Sequence, residues 1–112
     1  MARLFYMKHL TSSDVTNILA IETDHLEDFP PFPHGQHFQN LRFLDEECNI
    51  EWNFCLTVRQ TGSYLKPTIG GGWIQFCKMR GLQEGHIILF FQERDEATGQ
   101  FKYKIRPFYN FL

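Results

Sequence analysis

The apolar positions of this chain fall into short runs whose period changes from segment to segment, and the period indicates the element. Over 51–59 the alternation is strict: Trp52, Phe54, Leu56 and Val58 interleave with Asn53, Cys55, Thr57 and Arg59. A period of two puts one set on a buried face and the other on a wetter one, so this is the clearest strand. Phe101, Tyr103 and Ile105 alternate in the same way with Lys102, Lys104 and Arg106, and Pro107 is expected to end that strand. Leu4 to Lys8 and Leu41 to Leu44 also read as strands, with Leu19-Ala20-Ile21 as a shorter one. Ile87 to Phe91 is apolar on both faces, which suits a central strand.

Helical spacing appears at three places. Val15, Ile18 and Leu19 follow the capping side chains Thr11-Ser12-Ser13-Asp14, which predicts a single turn of helix. Trp73, Phe76 and Cys77 at i, i+3 and i+4 predict a helix over 72–80. His25 to Phe29 reads as another short helix, stopped by Pro30-Pro31. Between these elements the breakers are plain. Residues 30–40 form a loop, Gln60-Thr61-Gly62-Ser63 a turn, Gly81 to Gly85 a second turn, and 95–100 a hairpin loop. A strand opening at Tyr64-Leu65 is expected to close at Pro67 and Gly70-Gly71-Gly72. Several short strands with two or three short helices predict a mostly-β barrel or sandwich.

Composition narrows the class. At 112 residues the chain is one domain, 1–112, with one core. Aromatic residues make up 16% and include twelve Phe, so rings will dominate that core. No stretch approaches the roughly 18 apolar residues of a membrane span, and the N-terminus lacks the pattern of a signal peptide. Cys48, Cys55 and Cys77 are not at metal-ligand spacing and read as reduced thiols of an intracellular protein. His25, His34, His37 and Cys48 match no closed zinc set, so no metal is expected. Nothing resembles a nucleophile elbow, and the glycine run lacks the Gly-Lys-Ser/Thr ending of a phosphate loop. Those glycines are expected to allow tight approach or positive φ ahead of a buried Trp73. Neither an enzyme nor a cofactor is expected.

Net charge is −2, which by itself does not suggest a polyanionic partner. Its distribution is uneven. Residues 9–58 carry one Arg against nine acids, whereas 59–112 carry eight Lys or Arg against four. An anionic ligand would therefore sit on the C-terminal half. The stripe Lys102, Lys104, Arg106 reads first as the solvated face of an outer strand, where cations discourage edge pairing.

Four blocks in order resemble the plant-specific B3 DNA-binding domain family. Lys8-His9-Leu10-Thr11-Ser12-Ser13-Asp14-Val15 is similar to its opening Lys-x-Leu-Thr-x-Ser-Asp-Val, with Tyr6 where Phe is usual. His25 to Pro30 resembles a short helix ending in Phe-Pro, and Trp52-Asn53-Phe54 the Trp-x-Phe of a middle strand. The segment from Tyr64 to Phe90 resembles the glycine-Trp block followed by Leu-x-x-Gly, with His86 where Asp is usual. The blocks cover nearly the whole chain, Tyr6 to Ile105.

The resemblance implies a seven-stranded open DNA-binding pseudobarrel that grips the major groove of double-stranded DNA with two arms. It implies a nuclear regulator of transcription. By position the first arm is Lys8 to Thr23 and the second Arg59 to Lys66. The resemblance makes Lys8, Ser12, Ser13, Asn17, Arg59, Gln60, Thr61, Ser63 and Lys66 the candidate DNA-binding residues. Arg59 and Lys66 suit phosphates, Gln60 and Asn17 base edges, and Thr61 and Ser63 either. A plain turn uses the same residues, since Gly62 and Ser63 are turn formers in any protein. The first arm departs from the pattern: it is a few residues shorter, with Glu22 where Pro is usual and Thr23 where Lys is usual. A carboxylate there faces phosphates unfavourably. The second reading keeps the barrel, without DNA binding, as a protein-interaction or regulatory module with a protein partner or a second copy.

Overall fold

A computed structural model describes residues 2–61 and 64–109, with every side chain among them except those of 61 and 64. The strands are β1 (Ala2–His9), β2 (Leu19–Ala20), β3 (Phe38–Asp45), β4 (Ile50–Thr61), β5 (Tyr64–Gly71), β6 (Ile87–Arg94) and β7 (Phe101–Phe108). Helix α1 (Ser12–Thr16) joins β1 to β2, and α2 (Trp73–Arg80) joins β5 to β6. A 3₁₀ helix spans Thr23–Asp28.

The seven strands form one sheet in the order β1-β6-β7-β3-β4-β5-β2, the open pseudobarrel that the resemblance implies. All neighbours pair antiparallel except β3 and β7, which run parallel over only two residue pairs, Phe43 with Tyr103 and Leu44 with Lys104. The two end strands, β1 and β2, meet through side chains: the Lys8 ammonium donates to the Ala20 carbonyl at 2.6 Å. The Tyr6 hydroxyl donates to the Glu22 carboxylate beside it.

The alternation read in the sequence sets the core. Phe54 and Leu56 of β4 point in, and Trp73, Phe76 and Cys77 of α2 lie over them. A second ring cluster joins Phe5, Tyr6, Phe29, Phe43 and Phe90, mostly edge to face. Phe43 and Phe54, 5.5 Å apart, connect the two clusters. Each fully buried ring contributes about 1.5–3 kcal/mol, so this continuous stack dominates stability.

Several strands run further than their sequence suggests. β3 begins at Phe38, inside the segment read as loop, and Gln60 and Thr61 continue β4 instead of turning. β5 passes through Pro67 to Gly71. Pro67 presents its carbonyl to Ile21 N–H at 3.0 Å. The N–H and C=O of one strand residue point the same way, so the missing donor lies on the short β2 side and the β4 ladder is intact. β7 likewise passes through Pro107, opposite Ile88 and beyond the last pair with β3, where the strand has a free edge. β7 is therefore not an outer strand. It lies between β6 and β3, and two of its cations are engaged locally. Lys104 pairs with Glu46 at 2.7 Å and Glu93 at 2.6 Å, and Arg106 stacks on Phe91 at 5.1 Å.

The turn before β6 keeps its bond despite the unusual residue. His86 is buried, and its Nδ1 accepts the Gln83 backbone N–H at 2.9 Å, the acceptor role open to an aspartate at this position.

Candidate nucleic-acid interface

The register of β4 on β5 determines which side chains share a face. Thr57 stands opposite Thr68, Val58 opposite Pro67, Arg59 opposite Lys66, and Gln60 opposite Leu65. Alternation then puts Thr57, Arg59, Lys66 and Thr68 on the outer face, because Leu56, Pro67 and Ile69 are buried on the other. Arg59 and Lys66 are both exposed. Directly opposite positions bring Cβ atoms to about 4.5–5.5 Å, and like charges there repel. Among the described residues no ion pair engages either cation.

The first arm comes to this face from the other side. Thr11 and Asp14 form a reciprocal capping box that starts α1, with Thr11 N–H on Asp14 Oδ2 at 2.8 Å and Asp14 N–H on Thr11 Oγ1 at 3.2 Å. The helix ends at Asn17, whose N–H bonds the Ser13 carbonyl. Ile18 then packs against Gly70, where an added Cβ would meet Ile18 Cδ1 at 3.4 Å. That contact seats the corner between α1 and β2 on β5. The result is a concavity of about 340 Å³ lined by Asn17, Ile18, Thr57, Arg59, Lys66 and Thr68.

The candidate residues thus separate. Asn17, Arg59 and Lys66 converge on one concavity. Ser12 and Ser13 are exposed in α1 but do not line it. Gln60 is exposed on the opposite face of the hairpin, beyond the core. The side chain of Thr61 and the whole of Ser63 lie outside the described residues. Thr57 and Thr68 were not anticipated, although the period-two pattern already placed Thr57 beside Arg59.

Lys8 has a structural engagement. Its ammonium pairs with Asp14 at 3.1 Å and donates to Ala20 O, leaving the side chain 13% exposed. Asp14 is the hub of this corner. Its Oδ1 also accepts from Ala20 N–H at 3.2 Å, and its carbonyl accepts from Trp73 Nε1 at 2.7 Å. Burial alone would raise the Asp14 carboxyl. The N–H groups of Thr11 and Ala20 and the Lys8 ammonium outweigh it and hold the group below the usual carboxylate range.

Glu22 is turned back from the concavity in the same manner. Burial works against its charge, but the Tyr6 hydroxyl and the nearby Lys8 hold its carboxyl low. Tyr6, 1% exposed, is correspondingly pushed up, first by burial and then by its bond to Glu22.

Elsewhere acids meet cations. Arg80 pairs with buried Asp45 at 2.7 Å and with Glu47 at 2.8 Å, and Arg42 with Glu51 at 3.5 Å. The acidic run 45–47 therefore neutralises much of the C-terminal excess, while Arg59 and Lys66 keep theirs. Among the described residues no helix is long and apolar enough to cross a membrane.

Solved structures share this architecture. The chain is similar to the Arabidopsis FUS3–DNA complex, with a TM-score of 0.74 and 19% identity over 93% of this chain and 97% of that one. It is similar to the Arabidopsis thaliana transcription factor LEC2 in complex with DNA, with a TM-score of 0.72 and 17% identity over 94% of each chain. A hypothetical Arabidopsis thaliana protein matches at 0.58 and 22% identity, over 98% of this chain and 93% of that one. No protein-family model matches the sequence, and no curated protein matches it. The likeness extends over nearly the whole of each chain, and it establishes that this chain has the fold of the B3-type pseudobarrel.

Proposed function

We propose that this chain binds double-stranded DNA in the major groove and acts in the nucleus as a B3-type regulator of transcription. The observation that carries this reading is the cross-strand pair Arg59 and Lys66 above a concavity shared with Asn17. Two like charges opposite each other on a ribbon are a standing repulsion, and a phosphate between them relieves it. Arg59 and Lys66 thus fix the register on the backbone. Asn17, whose amide can bond adenine through both its groups, is the base reader of the concavity, with Thr57 and Thr68 able to bond phosphate or base. Gln60 would read from the opposite face of the hairpin, and Thr61, Ser63, Ser12 and Ser13 extend the contact along the two arms.

Titration of a labelled duplex pool, followed by fluorescence anisotropy at several salt concentrations, tests this. Binding should weaken with salt, and Arg59→Ala should lower affinity for all sequences and reduce the salt slope by about 1. A parent that does not bind even at low salt would overturn the proposal. A second reading, a protein-interaction module on the same barrel, draws support from the net charge of −2 and the internal engagement of Lys8. Absence of DNA binding would leave that reading standing.

A further inference from the structure

The bonds that carry the chain along β5 past Ala20, one from the backbone and one from a side chain, put a carboxylate where the proposed interface can least accommodate one. Leu19 pairs with Ile69 and Ala20 with Thr68. Ile21 N–H then bonds Pro67 O, and Thr23 Oγ1 donates to Leu65 O, both at 3.0 Å. Glu22 lies between those two bonds, at the register position of Lys66. An acid there would ordinarily pair with the lysine and take it out of any phosphate contact. Instead the Glu22 carboxylate accepts the hydroxyl of Tyr6 on the other end strand.

The geometry points to Tyr6 as a positioning residue for DNA binding: by holding the Glu22 carboxylate across the β1–β2 seam, it keeps Lys66 available to phosphate. This rests on the DNA-binding reading above and gives it a control within the chain. Tyr6 is buried against Phe29 and Phe90, with centroids 5.8 and 5.9 Å away, so its ring is fixed and its hydroxyl aimed. The Lys8 ammonium, bonded to Ala20 O, adds a positive charge on the same side of Glu22. Both devices pull the carboxylate toward the seam. A Phe at position 6 would fill the same space and supply no hydrogen bond.

Three variants test it: Tyr6→Phe, Glu22→Gln, and the two together, each titrated with the same duplex pool. Tyr6→Phe should weaken binding about tenfold at low salt and lower the salt slope by about 1, as if one phosphate contact had gone. Glu22→Gln alone should bind as the parent does or more tightly, and adding it to Tyr6→Phe should restore both affinity and slope. A merely structural role for the hydroxyl would leave the double variant as weak as Tyr6→Phe, and that result overturns the inference. Tyr6→Phe binding as well as a parent that does bind overturns it too, while the DNA-binding reading survives. A parent that binds no DNA fails the underlying reading first.

Discussion

At the residue scale the chain depends on Asp14, which the sequence presents as one member of a capping cluster. The Thr11-x-x-Asp14 spacing makes the capping box legible. The bonds to Lys8, Ala20 and Trp73 are not legible, because they come from β1, β2 and α2, which meet only in the folded sheet. Removing one partner of a buried, hydrogen-bonded pair leaves the other uncompensated, so Asp14→Ala should cost about 3–5 kcal/mol in urea unfolding. The acid dependence follows from the same network. The Asp14 carboxyl is held below its unfolded value, so its contribution is complete above about pH 4 and is lost as pH falls through the folded value. Stability of the parent should decline in that range, and Asp14→Asn should flatten the decline. Lys8 illustrates the converse. Its position in the opening block suggests a phosphate contact, yet its ammonium bonds inward, and only knowing that β1 and β2 are the sheet's two ends explains why.

At the element scale the glycine run behaves as its sequence suggests, and for both of the anticipated reasons. Gly71 has φ +68, and an added Cβ on Gly72 would stand 2.8 Å from the Asn53 carbonyl. The close approach lets the start of α2 lie on β4 and bury Trp73. Gly72→Ala forces that backbone apart, with an expected loss of about 1–3 kcal/mol, read as a lower midpoint in thermal unfolding with the far-ultraviolet spectrum retained. The strands were legible where apolar and polar residues alternate, as in β4. They were misread at Pro67 and Pro107, where a breaker signal assumes that the missing N–H had a partner. In both cases the partner strand is short or has already ended, which depends on sheet order and not on local sequence. The same holds for β7. Its cation stripe suits an edge, yet a parallel contact with β3 encloses it, and two distant segments running side by side leave no local signature.

At the scale of the whole molecule, the polarity of charge along the chain becomes a different polarity in space. The acidic middle and the basic C-terminal half meet around Arg80 and Lys104, where Asp45, Glu46 and Glu47 are paired, while the hairpin cations remain unpaired among the described residues. Arg59, Lys66 and Asn17 were legible as candidates, since the two arms could be placed by position. Their convergence on one face, and the exclusion of Glu22 from it, depend on the β2–β5 register. The departures from the B3 pattern at Tyr6 and Glu22 are far apart in sequence and bonded in the fold. The most direct test is therefore spatial. In a ¹⁵N-labelled sample titrated with a short duplex at low salt, the amide shifts that move should be those of Asn17, Ile18, Thr57, Arg59, Lys66 and Thr68. Shifts confined to the β3–β7 seam, or none at all, would contradict the assignment of this concavity to DNA.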